Sequence, residues 1–268
     1  MREYQVKTIR ALDRGLEVLA HLQAARAASL HELHLATGLP KATLTRIIAT
    51  LAQRGMVWQR LADGAWMTSH TLQARSPHLT DEDRLVEVAS PVLERLCRAV
   101  DWPSVLAVPR LDHMAVIETN RPRAYFSHIQ LGPIGFRVNM LRSAAGRAYI
   151  AFCSASEREA VLQRLRASPE PGNWMARQPA LVERVIDETR RQGYGRRAAD
   201  FGGHFDRPRR EWDDGRDSIA VPVRAGDDVV AVVNLTWVHK VATVRQIVQS
   251  HLSRLADAAA DIERRLQR

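Results

Sequence analysis

Reading a DNA base edge takes a helix with one apolar face held by its domain and one face of small or hydrogen-bonding side chains. Segment 41–53 has that composition. Leu44, Ile47, Ile48 and Leu51 form an apolar stripe, and Ala42, Thr45, Arg46, Ala49 and Gln53 occupy the other side, with Lys41 and Thr43 at the entry. Arg46 can fork onto guanine, Thr43 and Thr45 can bond an edge or a phosphate, and Ala42 lets the backbone approach. Arg60 further on could take a phosphate or enter the minor groove, and Arg10 and Arg14 upstream are candidates for phosphate contacts. A second group, Ser143-Ala144-Ala145-Gly146, opens a helix with small residues and leaves backbone N–H groups accessible to a carboxylate. A third group fails its own test. His31-Glu32-Leu33-His34 resembles a zinc-protease motif, but the second His must stand at i+4, where Leu35 is found.

The elements around segment 41–53 are legible. Ile9, Leu12, Leu16, Leu19 and Leu22 recur at helical spacing and predict a first helix with these residues inward. Ser29 with Glu32 three residues on predicts a capping box opening a second helix, and Gly38 fits its C-terminal end. Leu39-Pro40 restarts the chain into segment 41–53. Strands over 56–60 and 65–68, joined through Asp63-Gly64, complete three helices and a hairpin. Taken singly, each of these residues suits a solvated bundle helix equally well. Helix order, turn, hairpin and charge together favour a winged helix-turn-helix over residues 1–70.

Residues 71–84 are polar and read as a linker, and the remaining domain is expected over 85–268. Within it, helices are predicted over 85–100 (interrupted at Pro91), 143–152, 156–165, 179–191 and 243–266. Strands are predicted over 105–108, 114–117, 219–223 and 229–235, with a long Gly- and Arg-rich loop at 196–216.

Composition sets the bounds. The chain has 268 residues, 46% hydrophobic and 26% charged, a profile that fits a globular protein with a proper core. The net charge is +9, and residues 1–75 carry ten Lys/Arg against five Asp/Glu, so positive charge is concentrated where DNA binding is expected. No apolar run reaches the roughly 20 residues of a membrane span, and the first residues lack a signal-peptide core, which predicts a cytoplasmic protein with no membrane partner. Two cysteines, Cys97 and Cys153, build no disulfide framework and are expected as buried thiols. No nucleotide-binding or nucleophile-elbow motif is present, so no enzyme activity, cofactor or metal is expected.

The run from Leu33 to Leu51, Leu33-His34-Leu35-Ala36-Thr37-Gly38-Leu39 through Thr43-Leu44-Thr45-Arg46-Ile47, resembles the helix-turn-helix of the IclR family of bacterial regulators. Gly135-Phe136-Arg137 with Ser143-Ala144-Ala145-Gly146-Arg147-Ala148 is similar to that family's ligand-domain segment. Gly193-Tyr194-Gly195 followed by Ser218-Ile219-Ala220-Val221-Pro222-Val223 is similar to a third family motif. Asn139-Met140 stands where the family has Pro-Leu, Arg147 where it has Lys, and Asp200 is the nearest candidate for its usual acidic residue. Trp102-Pro103 and Asn234-Leu235 are similar to the subgroup controlling hydroxyphenylpropionate catabolism.

The resemblance implies an α+β chain: a winged helix-turn-helix followed by a GAF/PAS-like α/β effector-binding domain. It implies a small carboxylic acid, an aromatic catabolite, held at Ser143, Ala144, Ala145 and Gly146. Ser218, Asn234 and Thr236 would complete the polar cage, and Trp102, Phe136, Met140 and Trp237 would supply an apolar wall. The implied partners are operator DNA, the effector, further copies of the chain as a dimer or tetramer, and RNA polymerase where the regulator activates.

Overall fold

The computed structural model describes residues 8–60, 63–69, 80–120, 131–203 and 207–267. The chain forms two compact units, Met1–Thr80 and Asp81–Arg268. Most of the expected linker, residues 71–79, lies outside the described residues, as does residue 70.

The first unit contains α1 (Arg10–Ala25), α2 (Leu30–Thr37), α3 (Lys41–Gln53) and a hairpin of β1 (Val57–Gln59) and β2 (Trp66–Thr68). Its core is Val18, Leu22, Ala28, Leu33, Leu39, Leu44, Ile48 and Val57. The capping box at Ser29 forms: its hydroxyl accepts from the Glu32 amide at 3.2 Å, and the Ser29 amide donates to the Glu32 carboxylate at 2.7 Å. Those contacts hold the Glu32 pKa below the ordinary carboxylate value, chiefly through the Ser29 amide. Ala28 and Trp66 exchange backbone hydrogen bonds of 3.0 and 2.8 Å, tying the α1–α2 connection to the hairpin. The stripe expected to face inward along α1 is only partly buried. Ile9, Leu12 and Leu16 are 69%, 58% and 56% exposed, and Val18 and Leu22 carry the helix's share of the core. The spacing of the stripe is helical, but its first half runs past the end of the small core it would have to reach.

The second unit is a six-stranded antiparallel sheet covered by helices on both faces. Its elements are α4 (Asp81–Val100), β3 (Ser104–Pro109), β4 (His113–Asn120), β5 (Arg137–Asn139), α5 (Ala144–Phe152), α6 (Ala155–Ala167), a 3-10 turn (Pro171–Arg177), α7 (Pro179–Gln192), β6 (Gly195–Arg196), β7 (Arg216–Ala225), β8 (Asp228–Val238) and α8 (Val244–Leu266). The strand order is β5-β4-β3-β8-β7-β6. Strand alternation sorts side chains between two cores. Leu106, Val108, Ile219, Val221, Val233 and Leu235 meet α4 and α8 on one face. Ala107, Met114, Ala220 and Val232 meet α5, α6 and α7 on the other.

Two expectations about α4 need correction. The helix starts at Asp81, inside the expected linker, and it runs through Pro91 without interruption. A proline removes the hydrogen bond to the carbonyl four residues back, here that of Glu87, whose residue is solvent-exposed. The apolar stripe Leu85, Ala89, Val92, Leu93, Leu96 continues on both sides of it. Cys97 and Cys153 are buried free thiols, and burial pushes both pKa values up to about 11. Among the described residues no helix is long and apolar enough to cross a membrane, and no cluster of ligands could hold a metal ion.

Candidate functional site

In the first unit the turn between α2 and α3 is fixed by main-chain geometry and short polar contacts. Gly38 takes φ +67° and its amide donates to the His34 carbonyl at 2.9 Å. The Thr37 hydroxyl donates to the Leu33 carbonyl at 2.7 Å and accepts from the Leu39 amide at 3.3 Å. With its proton on Nδ1, His34 donates to the Leu39 carbonyl at 2.8 Å, so this side chain braces the turn.

The turn presents α3 with Leu44 and Ile48 buried. Lys41, Ala42, Thr45, Arg46, Ala49 and Gln53 are exposed, and Thr43 is half-buried at the entry. The Thr45 hydroxyl already donates to the Lys41 carbonyl at 2.9 Å, which leaves its oxygen available as an acceptor. Pro40 caps α3 without a side-chain acceptor, so the helix start keeps amides open to an anion. Arg10 and Arg14 are exposed on α1. Arg60 differs from its expected role as an open cation. It forms an ion pair with Asp63 across the hairpin turn, and this pairing raises its pKa and lowers that of Asp63 to about 2.

In the second unit a cavity enclosing about 100 Å³ opens where α5 begins. Strand register explains its floor. Ser218 pairs with Thr236, Ala220 with Asn234, and Asn234 in turn with Val105, so these side chains share one sheet face. Toward one end of that face the helices cover Ala107 and Val232, and toward the other the floor becomes polar. Two glycines let α5 lie this close. A Cβ on Gly195 would strike the Ala144 carbonyl and come within 2.6 Å of the Ala148 amide, and a Cβ on Gly146 would strike the Met140 backbone.

The approach to α5 is rigidly held. Asn139 Oδ1 accepts from the Leu141 and Arg142 amides at 3.0 and 2.9 Å, and Ser143 Oγ donates to the Asn139 carbonyl at 2.6 Å. Asn139, where a proline was expected, therefore fastens the turn. Ser143 Oγ also accepts from the Gly146 amide at 3.0 Å. Gly146 thus has its partner, and the expected anion site narrows to the first-turn amides of Ala144 and Ala145.

Of the expected effector residues, Ser143, Ala144, Ala145, Ser218, Asn234, Thr236 and Phe136 line this cavity. Trp102 and Trp237 are packed into the α4/α8 core and Met140 into the α5/α6/α7 core, so none of the three forms a wall. Val105, Val116 and Leu131 supply the apolar side instead. Asn234 Oδ1 is buried and, among the described residues, without a hydrogen-bond partner, an arrangement that a donor on a bound molecule would relieve.

Besides these apolar residues, the sequence reading missed a charged group from the Arg-rich loop. Arg197 is 6% exposed and grips Asp214 with two hydrogen bonds of 2.9 and 3.1 Å. It also donates to the Phe201 carbonyl from Nε and Nη2. Arg142 and Arg197 each lie 5.0 Å from the Phe201 ring centre, stacked as cations on an aromatic face. Arg197, Phe201, Gly203, Asp214 and Arg216 all line the cavity. Asp200, expected to serve as the family's acidic residue, is exposed and pairs with Arg142 at 3.2 Å. No local period could have announced a pair 17 residues apart.

Residues 11–61 match the profile described as the IclR helix-turn-helix domain, and residues 78–264 match that of the bacterial transcriptional regulator IclR C-terminal domain. The HTH-type transcriptional regulator BhcR of Paracoccus denitrificans is 26% identical over 186 residues, 69% of this chain and 66% of that protein. The transcriptional repressor IclR of Escherichia coli is 25% identical over 189 residues, 69% of this chain and 68% of that protein. The matched stretches thus span about two thirds of those curated relatives. An IclR homologue from Microbacterium hydrocarbonoxydans, solved in complex with 4-hydroxybenzoate, shares the fold. Its TM-score is 0.53 at 23% identity, covering 96% of this chain and 99% of that one.

Proposed function

The chain belongs to the IclR family of bacterial transcription regulators, and on that premise we propose that it reads a double-stranded operator with α3 under the control of a small carboxylic acid. The observation that carries the effector half is the convergence of the α5 start with Ser218, Asn234 and Thr236 in one cavity. An acid group would sit against the Ala144 and Ala145 amides, which have no partner within their own helix. Phe136, Val105, Val116 and Leu131 give the rest of the molecule an apolar wall, which favours an aromatic acid. The 4-hydroxybenzoate held by the Microbacterium protein is in keeping with such a ligand.

In the DNA half, Arg46 reads a base edge, Thr45 accepts from one, and Lys41, Arg10 and Arg14 contact phosphates. Arg60 reaches a phosphate only by leaving Asp63. One such module covers too few base pairs for useful specificity, so the working form is a homo-oligomer on two half-sites. The exposed Ile9, Leu12 and Leu16 support pairing through α1. This function places the protein in the cytoplasm, with RNA polymerase as a further partner where it activates.

The test is footprinting on DNA upstream of the neighbouring genes, followed by anisotropy titrations with the protected fragment and with random DNA. Arg46→Ala should cost about 1–3 kcal/mol on the operator and much less on random DNA. Addition of a recognised acid should shift operator affinity in wild type and fail to do so in Ala145→Val. Equal losses on both DNAs would remove Arg46 from base readout. An acid response untouched by Ala145→Val would remove the effector from α5.

A further inference from the structure

An acid group at the α5 start uses one part of the cavity and leaves the polar floor beyond it without a role. Resting on that placement, we infer that the effector is a hydroxy acid, its hydroxyl held between the facing side chains of Ser218 and Thr236 with the Asn234 amide beside them.

Strand register sets the spacing. In the antiparallel β7–β8 pair Ser218 lies directly opposite Thr236, and Ala220 directly opposite Asn234. Alternation turns these four side chains to the sheet face that carries the cavity, while Ile219, Leu235 and Trp237 turn to the α4/α8 core. Gly195 pairs with Ala220, and a Cβ on Gly195 would strike the Ala144 carbonyl, so the start of α5 lies over the Gly195–Ala220 level of the sheet. The Ser218–Thr236 pair is two residues further along, roughly 7 Å at about 3.3 Å per residue. Side chains directly opposite one another stand about 4.5–5.5 Å apart at Cβ, so one small group can touch both.

Both hydroxyls are spare. Ser218 and Thr236 are each only 7% exposed. Their main-chain groups are taken: the Ser218 amide donates to Asp217 Oδ1 at 2.8 Å, the Ser218 carbonyl accepts from the Arg197 amide at 3.1 Å, and the Thr236 amide donates to the Pro103 carbonyl at 3.0 Å. Among the described residues neither hydroxyl has a hydrogen-bond partner, and no bond joins the two. Asn234 Oδ1, on the same face, is likewise unpartnered. Buried polar side chains are almost always bonded, so a patch of three that are not marks the place of a group that enters the cavity. The chemistry of that group follows from what the patch offers. A ligand hydroxyl both donates and accepts, so it can take a proton from one facing hydroxyl and give its own to the other or to the Asn234 oxygen. A carboxylate only accepts and gives the Asn234 oxygen nothing. A methyl group does neither, and it displaces bridging water without replacing the hydrogen bonds that water makes.

The test is calorimetric titration of the full-length protein with acids matched in size, 4-hydroxyphenylacetate against 4-methylphenylacetate and 6-hydroxyhexanoate against heptanoate. Wild type should bind the hydroxy acid of at least one pair about tenfold or more tighter than its methyl counterpart. In Ser218→Ala/Thr236→Val, thermally as stable as wild type, that preference should fall below about threefold, with the methyl acid bound at least as tightly as before. Ser218→Ala alone should lower the preference by about threefold or more and reads the same question if the double variant loses stability. Thr236→Ser, which keeps both hydroxyls, should retain it. Methyl acids binding wild type as tightly as hydroxy acids would overturn the inference, as would a full preference surviving in the double variant or equal losses for both acids. Ala145→Val separates this from the underlying placement, since it should weaken both members of a pair alike. Acids bound normally by Ala145→Val would refute the α5 site itself, and failure of all four acids to bind wild type would refute the acid reading and the inference with it.

Discussion

Arg197→Met isolates the cost of leaving one charge of the Arg197–Asp214 pair without the other. The substitution keeps an unbranched side chain of similar reach and removes the guanidinium. Breaking a fully buried pair from one side costs about 3–5 kcal/mol. Here the Asp214 side chain is 13% exposed and retains the Arg216 amide as a donor, so the low end of that range applies, about 3 kcal/mol. For a unit of this size that is a fall of roughly 6–12 °C in Tm. Adding Asp214→Asn neutralises the stranded carboxylate and keeps its shape beside Gly203, where nothing larger fits. The double variant should therefore recover at least about 1 kcal/mol of the single variant's loss. Urea unfolding followed by far-UV circular dichroism, with calorimetry in parallel, reads both quantities. A double variant as unstable as the sum of its parts would mean that the pair is not coupled and that Arg197 acts only through packing on Phe201.

Three further outcomes follow from particular contacts. Ser29→Ala removes the α2 cap and should cost about 1 kcal/mol; an unchanged unfolding midpoint would show that the Ser29–Glu32 box contributes nothing in the folded unit. Leu12→Gln/Leu16→Gln alters exposed positions, so stability should change by less than about 0.5 kcal/mol while sedimentation velocity shows a smaller species; retention of the wild-type sedimentation coefficient would take α1 out of the oligomer contact. Burial raises the Asp217 pKa above its ordinary value, against the opposing pull of the Ser218 amide and nearby arginines. Its charge therefore costs stability once pH rises through the native pKa, and the cost vanishes below the unfolded value near 3.9. Asp217→Asn should be more stable than wild type at pH 7, with the gain fading toward pH 4, and a deficit that grows with pH would contradict this.

What could be read from the residues had a local origin. The α2 cap, the Gly38 turn and the two-sided pattern of α3 are each set within one or two turns of chain, and all appear in the structure. The central strands were legible because their apolar runs are buried on both faces. β5 and β6 were not, since three and two residues are too few to show alternation. The inward stripe of α1 and the walls assigned to Trp102 and Met140 failed for a related reason. Apolar character says that a residue is suited to burial, but only the tertiary arrangement says which surface it is buried against. The charged end of the cavity was the least legible part. Arg197, Gly203, Asp214 and Arg216 meet because a loop folds back on itself, and their composition alone resembles ordinary solvated chain.

The division of labour inside that cavity bears on how such a sensor can be re-engineered. At the α5 start the groups offered to an acid belong to the main chain, so exchanging side chains there alters access and leaves the offered polarity in place. At the opposite end the wall is made of side chains from the Arg-rich loop and the start of β7, held outside the two apolar cores. A library confined to positions 197, 214 and 216, with Gly203 and the α5 start left intact, would vary the charge of that wall and leave the main-chain groups at the helix start unchanged. Variants with an altered ligand response are best sought there.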